Sequence, residues 1–353
     1  SPGFLGTDVS LVKELSASIY LLGFEHGYSI LRNDSVIFHQ VLSAPGRTST
    51  RPISGATDGN GKHYIAAQDM GVGEVHPDYS VTWFDSNNAQ IVCVNYLKDT
   101  LWAMDRFGTL YYLKEHKLVS KAFVDAYPRS ISKEQNGSLL IGTRNGLKSI
   151  VGSKVFHLPI PLDFSLKEVY CTFIYNGQLL VGTEGGLATI RNGIIERSVA
   201  PGLRMERPVY AAVLSPDGIW LGTDNGIYLL LDSVARHFDE QDGLLGWEVN
   251  RGAFIKDRSD RLVIGTSKGV SFHDPLHPET SELQFRPAIK SIRQGYNMLP
   301  LSQAINLSTR ESQLTIGMQV LSFSSNPIEL RYRMVGYQDT WQSHSISPQR
   351  EVT

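Results

Sequence analysis

Ile141-Gly142-Thr143-Arg144-Asn145-Gly146-Leu147 is a phrase that the chain uses four times. It returns as Val181-Gly182-Thr183-Glu184-Gly185-Gly186-Leu187, as Leu221-Gly222-Thr223-Asp224-Asn225-Gly226-Ile227, and as Ile264-Gly265-Thr266-Ser267-Lys268-Gly269-Val270. Its first glycines stand 40, 40 and 43 residues apart. A fixed period of about 40 residues marks a repeat architecture. The apolar run that leads into each phrase, such as Leu139-Leu140-Ile141, reads as a buried strand. Gly-Thr-x-x-Gly then turns the chain, and its second glycine supplies a backbone of positive φ. Leu147 to Ile150 leaves as the partner strand. Asn192-Gly193 marks the next turn one repeat later, before a fourth strand at Ile194 to Val199. Upstream turns (Gln135-Asn136-Gly137, Tyr175-Asn176-Gly177, Pro216-Asp217-Gly218 and Arg258-Ser259-Asp260) separate each phrase from an earlier apolar strand such as Val169 to Ile174. Four antiparallel strands in about 40 residues make one propeller blade.

Degenerate copies extend the series towards the N-terminus. Leu22-Gly23-Phe24-Glu25-His26-Gly27-Tyr28 keeps both glycines, while the copies ending at Gly71 and Gly108 keep only the second. Aligned on that glycine, the phrases sit at Gly27, Gly71, Gly108, Gly146, Gly186, Gly226 and Gly269. The expectation is an all-β chain: a seven-bladed β-propeller over residues 1–284, closed so that no sheet edge is left open. Phe4-Leu5-Gly6-Thr7 is too close to Gly23 to head its own blade, so residues 4–13 are expected to be the first strand of blade 1 or a remnant of an element ahead of it.

Composition excludes several function classes. A net charge of −2 gives no electrostatic case for nucleic acid or for an anionic membrane surface. No apolar run approaches the length of a membrane span, so any membrane anchor must lie outside this chain. Cys93 and Cys171 fall in apolar strands of different blades and read as free thiols rather than a disulfide or zinc framework. His273-Asp274-x-x-His277 is the one histidine cluster, but Pro275 and Pro278 make it a rigid connector with surface histidines. Gly71-Val72-Gly73 lacks the lysine and the strand-to-helix setting of a phosphate loop. Neither a metal, a cofactor nor a catalytic residue is expected, and no Gly-x-Ser-x-Gly elbow occurs.

The period stops after Phe272-His273-Asp274-Pro275. A polar connector follows, then alternating strands at 288–292, 313–318 and 329–334 that suit a half-buried sheet. Residues 285–353 therefore read as part of an immunoglobulin-like β-sandwich, which needs more strands than remain before Thr353.

The Gly-Thr-x-x-Gly-Leu repeats resemble two-component regulator propeller repeats. Gly243-Leu244-Leu245, Asn250-Arg251-Gly252-Ala253-Phe254 and Phe272-His273-Asp274-Pro275 resemble the last blade of such propellers. Leu321-Ser322-Phe323 and Leu330 to Trp341 are similar to the tyrosine-rich Y_Y_Y sandwich that follows them. The resemblance implies a periplasmic sensing region of a membrane-anchored receptor whose inner part is a histidine kinase or a diguanylate cyclase. It also implies an oligosaccharide or other small polar ligand, pairing of two copies through the sandwich, and often a second propeller. A propeller lyase or hydrolase and a protein-interaction platform are the rival readings.

Blade geometry nominates the site. The innermost strand of each blade enters from the face that carries the Gly-Thr turns, so polar and aromatic residues there converge on the axial mouth. They are Arg51, Tyr127, Arg129, Lys167, Tyr170, Arg207, Tyr210, Trp247, Asn250 and Arg251. Aromatic rings offer apolar area to a sugar, and arginine and asparagine donate directed hydrogen bonds. The opposing reading has Tyr170 and Tyr210 packed between blades and the arginines paired with Glu168, Glu206 and Glu248. Trp83 and Trp102 read as blade core.

Overall fold

The computed structural model describes residues 4–43, 49–84, 90–125, 127–134, 137–158, 168–191, 194–197, 205–231, 235–275, 288–301, 313–319, 328–336 and 340–346. The chain forms two compact units, Ser1–Pro278 and Glu279–Thr353. The boundary expected at 284/285 lies outside the described residues.

The first unit is a seven-bladed propeller. Its innermost strands are Leu11–Ser16, Pro52–Thr57, Ile91–Leu97, Pro128–Lys133, Val169–Tyr175, Val209–Ser215 and Val249–Lys256. Each packs beside the next, and the last returns to the first, so the strands form a closed cycle. Blades 1 to 6 each show four antiparallel strands, and blade 7 shows three among the described residues. Closure is made by main chain. The Val9 amide donates to the Thr266 carbonyl at 2.9 Å, and Leu11 pairs in parallel with Gly252. Blade 1 thus begins at Leu11 rather than at residue 4. The segment ahead of it is spent on closure and on packing Phe4 against Phe24, 5.9 Å between ring centroids.

Each letter of the repeated phrase has a physical duty. All seven second glycines adopt positive φ, between 79° and 155°. The threonine hydroxyls of residues 143, 183, 223 and 266 donate to the carbonyl of the second glycine at 2.8–3.2 Å. Three of these hydroxyls also accept an amide from two residues on, which pins the turn. Blade 3 uses Asp105 instead. Its carboxylate accepts the amides of Phe107, Gly108 and Thr109 at 2.8–3.0 Å. The first glycine serves the neighbouring blade. A methyl group on Gly222 would meet Val249 Cγ1 at 2.7 Å, and one on Gly182 the Val209 carbonyl oxygen at 2.7 Å. The apolar clusters likewise span adjacent blades. Leu180 and Leu187 of blade 5 pack with Val209, Ile219 and Leu221 of blade 6. Each blade is therefore held mainly by its neighbours.

In the second unit, Ala288–Gln294 pairs with Asn297–Leu299 and Leu314–Gln319, and Ile328–Tyr332 pairs with Gln342–Ile346. All these pairings are antiparallel. Leu321 to Phe323 and Tyr337 to Asp339, part of the resemblance, lie outside the described residues.

Candidate functional site

One irregularity recurs at the head of the innermost strands. The ladder to the second strand skips a residue between Pro52 and Ser54, Ile91 and Cys93, Pro128 and Ser130, Val169 and Cys171, and Val209 and Ala211. In blade 7 the irregular stretch runs from Val249 to Phe254. A β-bulge leaves one residue out of the pairing and re-aims its side chain. The skipped residues are Ile53, Val92, Arg129, Tyr170 and Tyr210, with Asn250 and Arg251 in blade 7. Every one lines a single axial cavity of about 570 Å³. The bulged residues of blades 2 and 3 are apolar and those of blades 4 to 7 polar or aromatic, with Arg51, Ser54 and Gln68 of blade 2 also lining the cavity.

Arg251 sits at the centre of the polar wall. Its guanidinium carbon lies 5.6 Å from the centroid of the Tyr170 ring, a cation–π distance. Tyr170 meets Tyr210 edge-to-face at 5.0 Å. The Arg251 side chain is wetted by the cavity yet surrounded by protein. That enclosure, with the nearby Arg129 charge, holds its pKa below that of a free arginine, while Glu168 and Tyr170 act in the opposite sense. Among the described residues no carboxylate forms an ion pair with it. Burial is the largest cause raising the Tyr170 hydroxyl to about 12, with Glu168 adding to it, so this tyrosine is a neutral hydrogen-bond donor at neutral pH.

The other arginines are braced from behind. Arg129 pairs with Glu168 of the next blade. Arg51 pairs with Asp8 at 2.7 Å and Glu25 at 3.4 Å. Asn250 donates to Asp8 Oδ1 at 2.9 Å and to the Val9 carbonyl at 2.8 Å. Asn250 and Arg51 therefore join blades 7 and 2 through the N-terminal segment, and much of their hydrogen-bonding capacity serves ring closure.

Tyr127 and Arg129 border a smaller cavity of about 210 Å³, together with Gln90 and Arg106. It shares Ile53, Gln68, Val92, Pro128 and Arg129 with the axial cavity, so the two adjoin. Tyr127 has φ of 56°, a left-handed conformation unusual for a bulky side chain. Its amide donates to the Arg106 carbonyl at 2.9 Å, and its carbonyl accepts from the Arg144 amide at 3.1 Å.

Two predicted residues do not converge. Arg207 is drawn to Asp224 in the Gly-Thr turn of its own blade, at 3.6 Å, and not to Glu206. Trp247 stands outside both cavities, 58% exposed, with its carbonyl accepting from the Gly226 amide. Lys167 lies outside the described residues. The opposing reading is half right: Tyr170 and Tyr210 do touch between blades and Arg129 does pair with Glu168, yet all three also line the cavity. Cys93 and Cys171 are free thiols and flank it. His273 is not a surface histidine. It packs on Trp220 at 5.2 Å and Phe238 at 6.1 Å, and burial lowers its pKa. Residues missed by sequence reasoning are Ile53, Val92, Gln68 and Arg106. Ile53 and Val92 occupy the same bulge position as Arg129 and Tyr170, a periodicity visible once polarity is set aside.

No protein-family profile matches the chain, and no curated protein matches it. Solved structures share its fold. The extracellular domain of BT3049 from B. thetaiotaomicron, described as part of a hybrid two component system, superposes over 98% of this chain with a TM-score of 0.72 at 17% identity. This chain spans 50% of that domain's length. The extracellular domain of BT4673 from the same organism superposes over 76% of this chain and 38% of its own length, with a TM-score of 0.62 at 20% identity. A catalytically inactive virginiamycin B lyase from Staphylococcus aureus, solved with quinupristin, matches over 76% of this chain and 97% of its own, with a TM-score of 0.58 at 10% identity. The architecture is that of a β-propeller followed by a β-sandwich; at these identities the likeness is one of fold.

Proposed function

We propose that this chain is a ligand-sensing region of a membrane-anchored bacterial receptor of the two-component type, working on the periplasmic side. The observation that carries the reading is the axial cavity, built from the bulged residues of blades 2 to 7. Its polar wall of arginine and tyrosine faces an apolar wall of Ile53 and Val92. Pockets of a few hundred cubic ångströms with a few directed polar groups suit small ligands. A sugar has both a hydroxyl rim and an apolar C–H face, so an oligosaccharide matches both walls. The fold shared with extracellular domains of two-component systems supports the cellular setting.

The chain binds its ligand without converting it. Signalling needs the ligand to prefer one of two receptor states, and a change in pairing of two copies through residues 285–353 would carry that preference towards a membrane segment outside this chain. The test is calorimetry of the 353-residue chain against neutral and acidic oligosaccharides, with recovery of each bound sugar. Saturable binding with the sugar recovered intact supports the reading. Conversion of the sugar establishes an enzyme instead.

A further inference from the structure

Both adjoining cavities are cationic in a way the whole chain is not. Arg51, Arg129 and Arg251 line the axial cavity, and Arg106 and Arg129 the side pocket. Among the described residues no aspartate or glutamate lines either one. Asp8, Glu25 and Glu168 neutralise Arg51 and Arg129 from behind. Arg251 and Arg106 form no ion pair among the described residues. Arg251 rests on a tyrosine ring, and Arg106 donates to the Gln90 side chain at 3.2 Å. Two guanidinium groups without an ion pair among the described residues thus stand in two adjoining cavities, Arg251 in one and Arg106 in the other. Low-dielectric walls focus the field of such charges into the cavities. A neutral ligand would strip water from them and return no charge, which is costly. An anionic group returns a charge-assisted hydrogen bond.

We infer that the ligand is an acidic oligosaccharide bearing at least two negative groups, carboxylate or sulfate, one seated on Arg251 in the axial cavity and one on Arg106 in the side pocket. This rests on the ligand-binding reading above and narrows it. Ile53 and Val92, shared by both cavities, receive the apolar sugar face, while Gln68 and Gln90 meet hydroxyls. Tyr127 fits the assignment independently. A tyrosine at φ of 56° is a strained residue, and it borders the side pocket with its amide tied to the Arg106 carbonyl. Strain of this kind gathers at ligand clamps.

The test uses the 353-residue chain and calorimetry. The probes are oligouronides of one to six units from pectate and alginate, and chondroitin sulfate oligosaccharides. Carboxyl-reduced and desulfated counterparts serve as neutral partners. The expected result is that an acidic probe of two or more charges binds at least about thirtyfold more tightly than its neutral counterpart. Arg251→Gln and Arg106→Gln are each expected to weaken it about tenfold or more. A monouronate should lose sensitivity to Arg106→Gln while keeping it to Arg251→Gln. Comparing uronides with sulfated sugars identifies which anion is read. Thermal melts of both variants confirm that the fold is intact. Neutral counterparts binding within threefold, or an acidic probe indifferent to either substitution, overturns the inference. Binding of neutral probes alone also overturns it but leaves the sensor reading standing. Binding of no saccharide of either set overturns both.

Discussion

The Arg251 guanidinium of blade 7 lies over the Tyr170 ring of blade 5, 5.6 Å from its centroid. The contact skips a blade, which is only feasible where innermost strands converge on the axis. It fixes the arginine of the axial cavity that no carboxylate holds among the described residues. Tyr170→Leu removes this support and the edge contact with Tyr210. It is expected to cost about 1–2 kcal/mol of stability in denaturant melts and to weaken any ligand that Arg251 binds. Tyr170→Phe keeps the ring and should cost less than about half as much. Equal losses in the two variants would show that the hydroxyl, not the ring, matters.

Gly222 marks where one blade meets the next. Its alanine variant places a methyl group 2.7 Å from Val249 Cγ1. Overpacking of this kind costs about 1–3 kcal/mol. Since the clash is with a side chain, Val249→Ala in the same molecule should recover part of the loss. A double-mutant cycle reads this as a favourable coupling; strict additivity would refute the contact.

Acid should loosen the closure between blades 7 and 1 through Asp257. Burial works to raise its pKa, but hydrogen bonds from Tyr20, Arg261 and Ser259 outweigh it, so the folded value lies below the ordinary one. Tyr20 donates to it at 2.6 Å from blade 1. A depressed folded pKa means that the stabilisation is complete above the unfolded value of about 3.9 and is lost as pH falls through the folded one. Asp257→Asn should therefore cost about 1–3 kcal/mol at pH 7. The gap to the unsubstituted chain should narrow below about pH 4 in pH-dependent melts. A gap independent of pH would remove the carboxylate from the account.

The two thiols flank the axial cavity but are chemically quiet. Burial, the largest cause, pushes both Cys93 and Cys171 up to about 12. At pH 8 their thiolate fraction is smaller than that of an exposed cysteine by a factor on the order of a thousand. A disulfide reagent should titrate neither in the native chain and both after denaturation. Rapid reaction in the native state would mean that the inner strands open more readily than their hydrogen bonding implies.

Local chemistry was legible in the sequence, and contacts between blades were not. The period and the second glycine gave seven blades, because a turn that needs positive φ leaves its mark within seven residues. The first glycine had no visible reason, since its neighbour Val249 belongs to the next repeat, 27 residues beyond Gly222. Blade 3 looked degenerate because Asp105 does a threonine's work with a different side chain. For the site, choosing polar and aromatic residues found Arg129, Tyr170, Tyr210 and Arg251 but passed over Ile53 and Val92. It also admitted Arg207, which Asp224 draws aside. The controlling variable was the bulge, and a register shift leaves no residue type behind it.

That bulge separates two kinds of inheritance within one repeat. A residue inside the ladder is constrained on both flanks, so altering it disturbs a blade. The skipped residue carries no register duty and turns towards the axis. Blades 2 to 7 therefore write a short word around the axis, one position per blade, about 40 residues apart. Rewriting that word at 53, 92, 129, 170, 210 and 251 should change the chemistry of the cavity while leaving every ladder in register, at the cost only of the contacts that Arg129, Tyr170 and Tyr210 make with neighbouring blades.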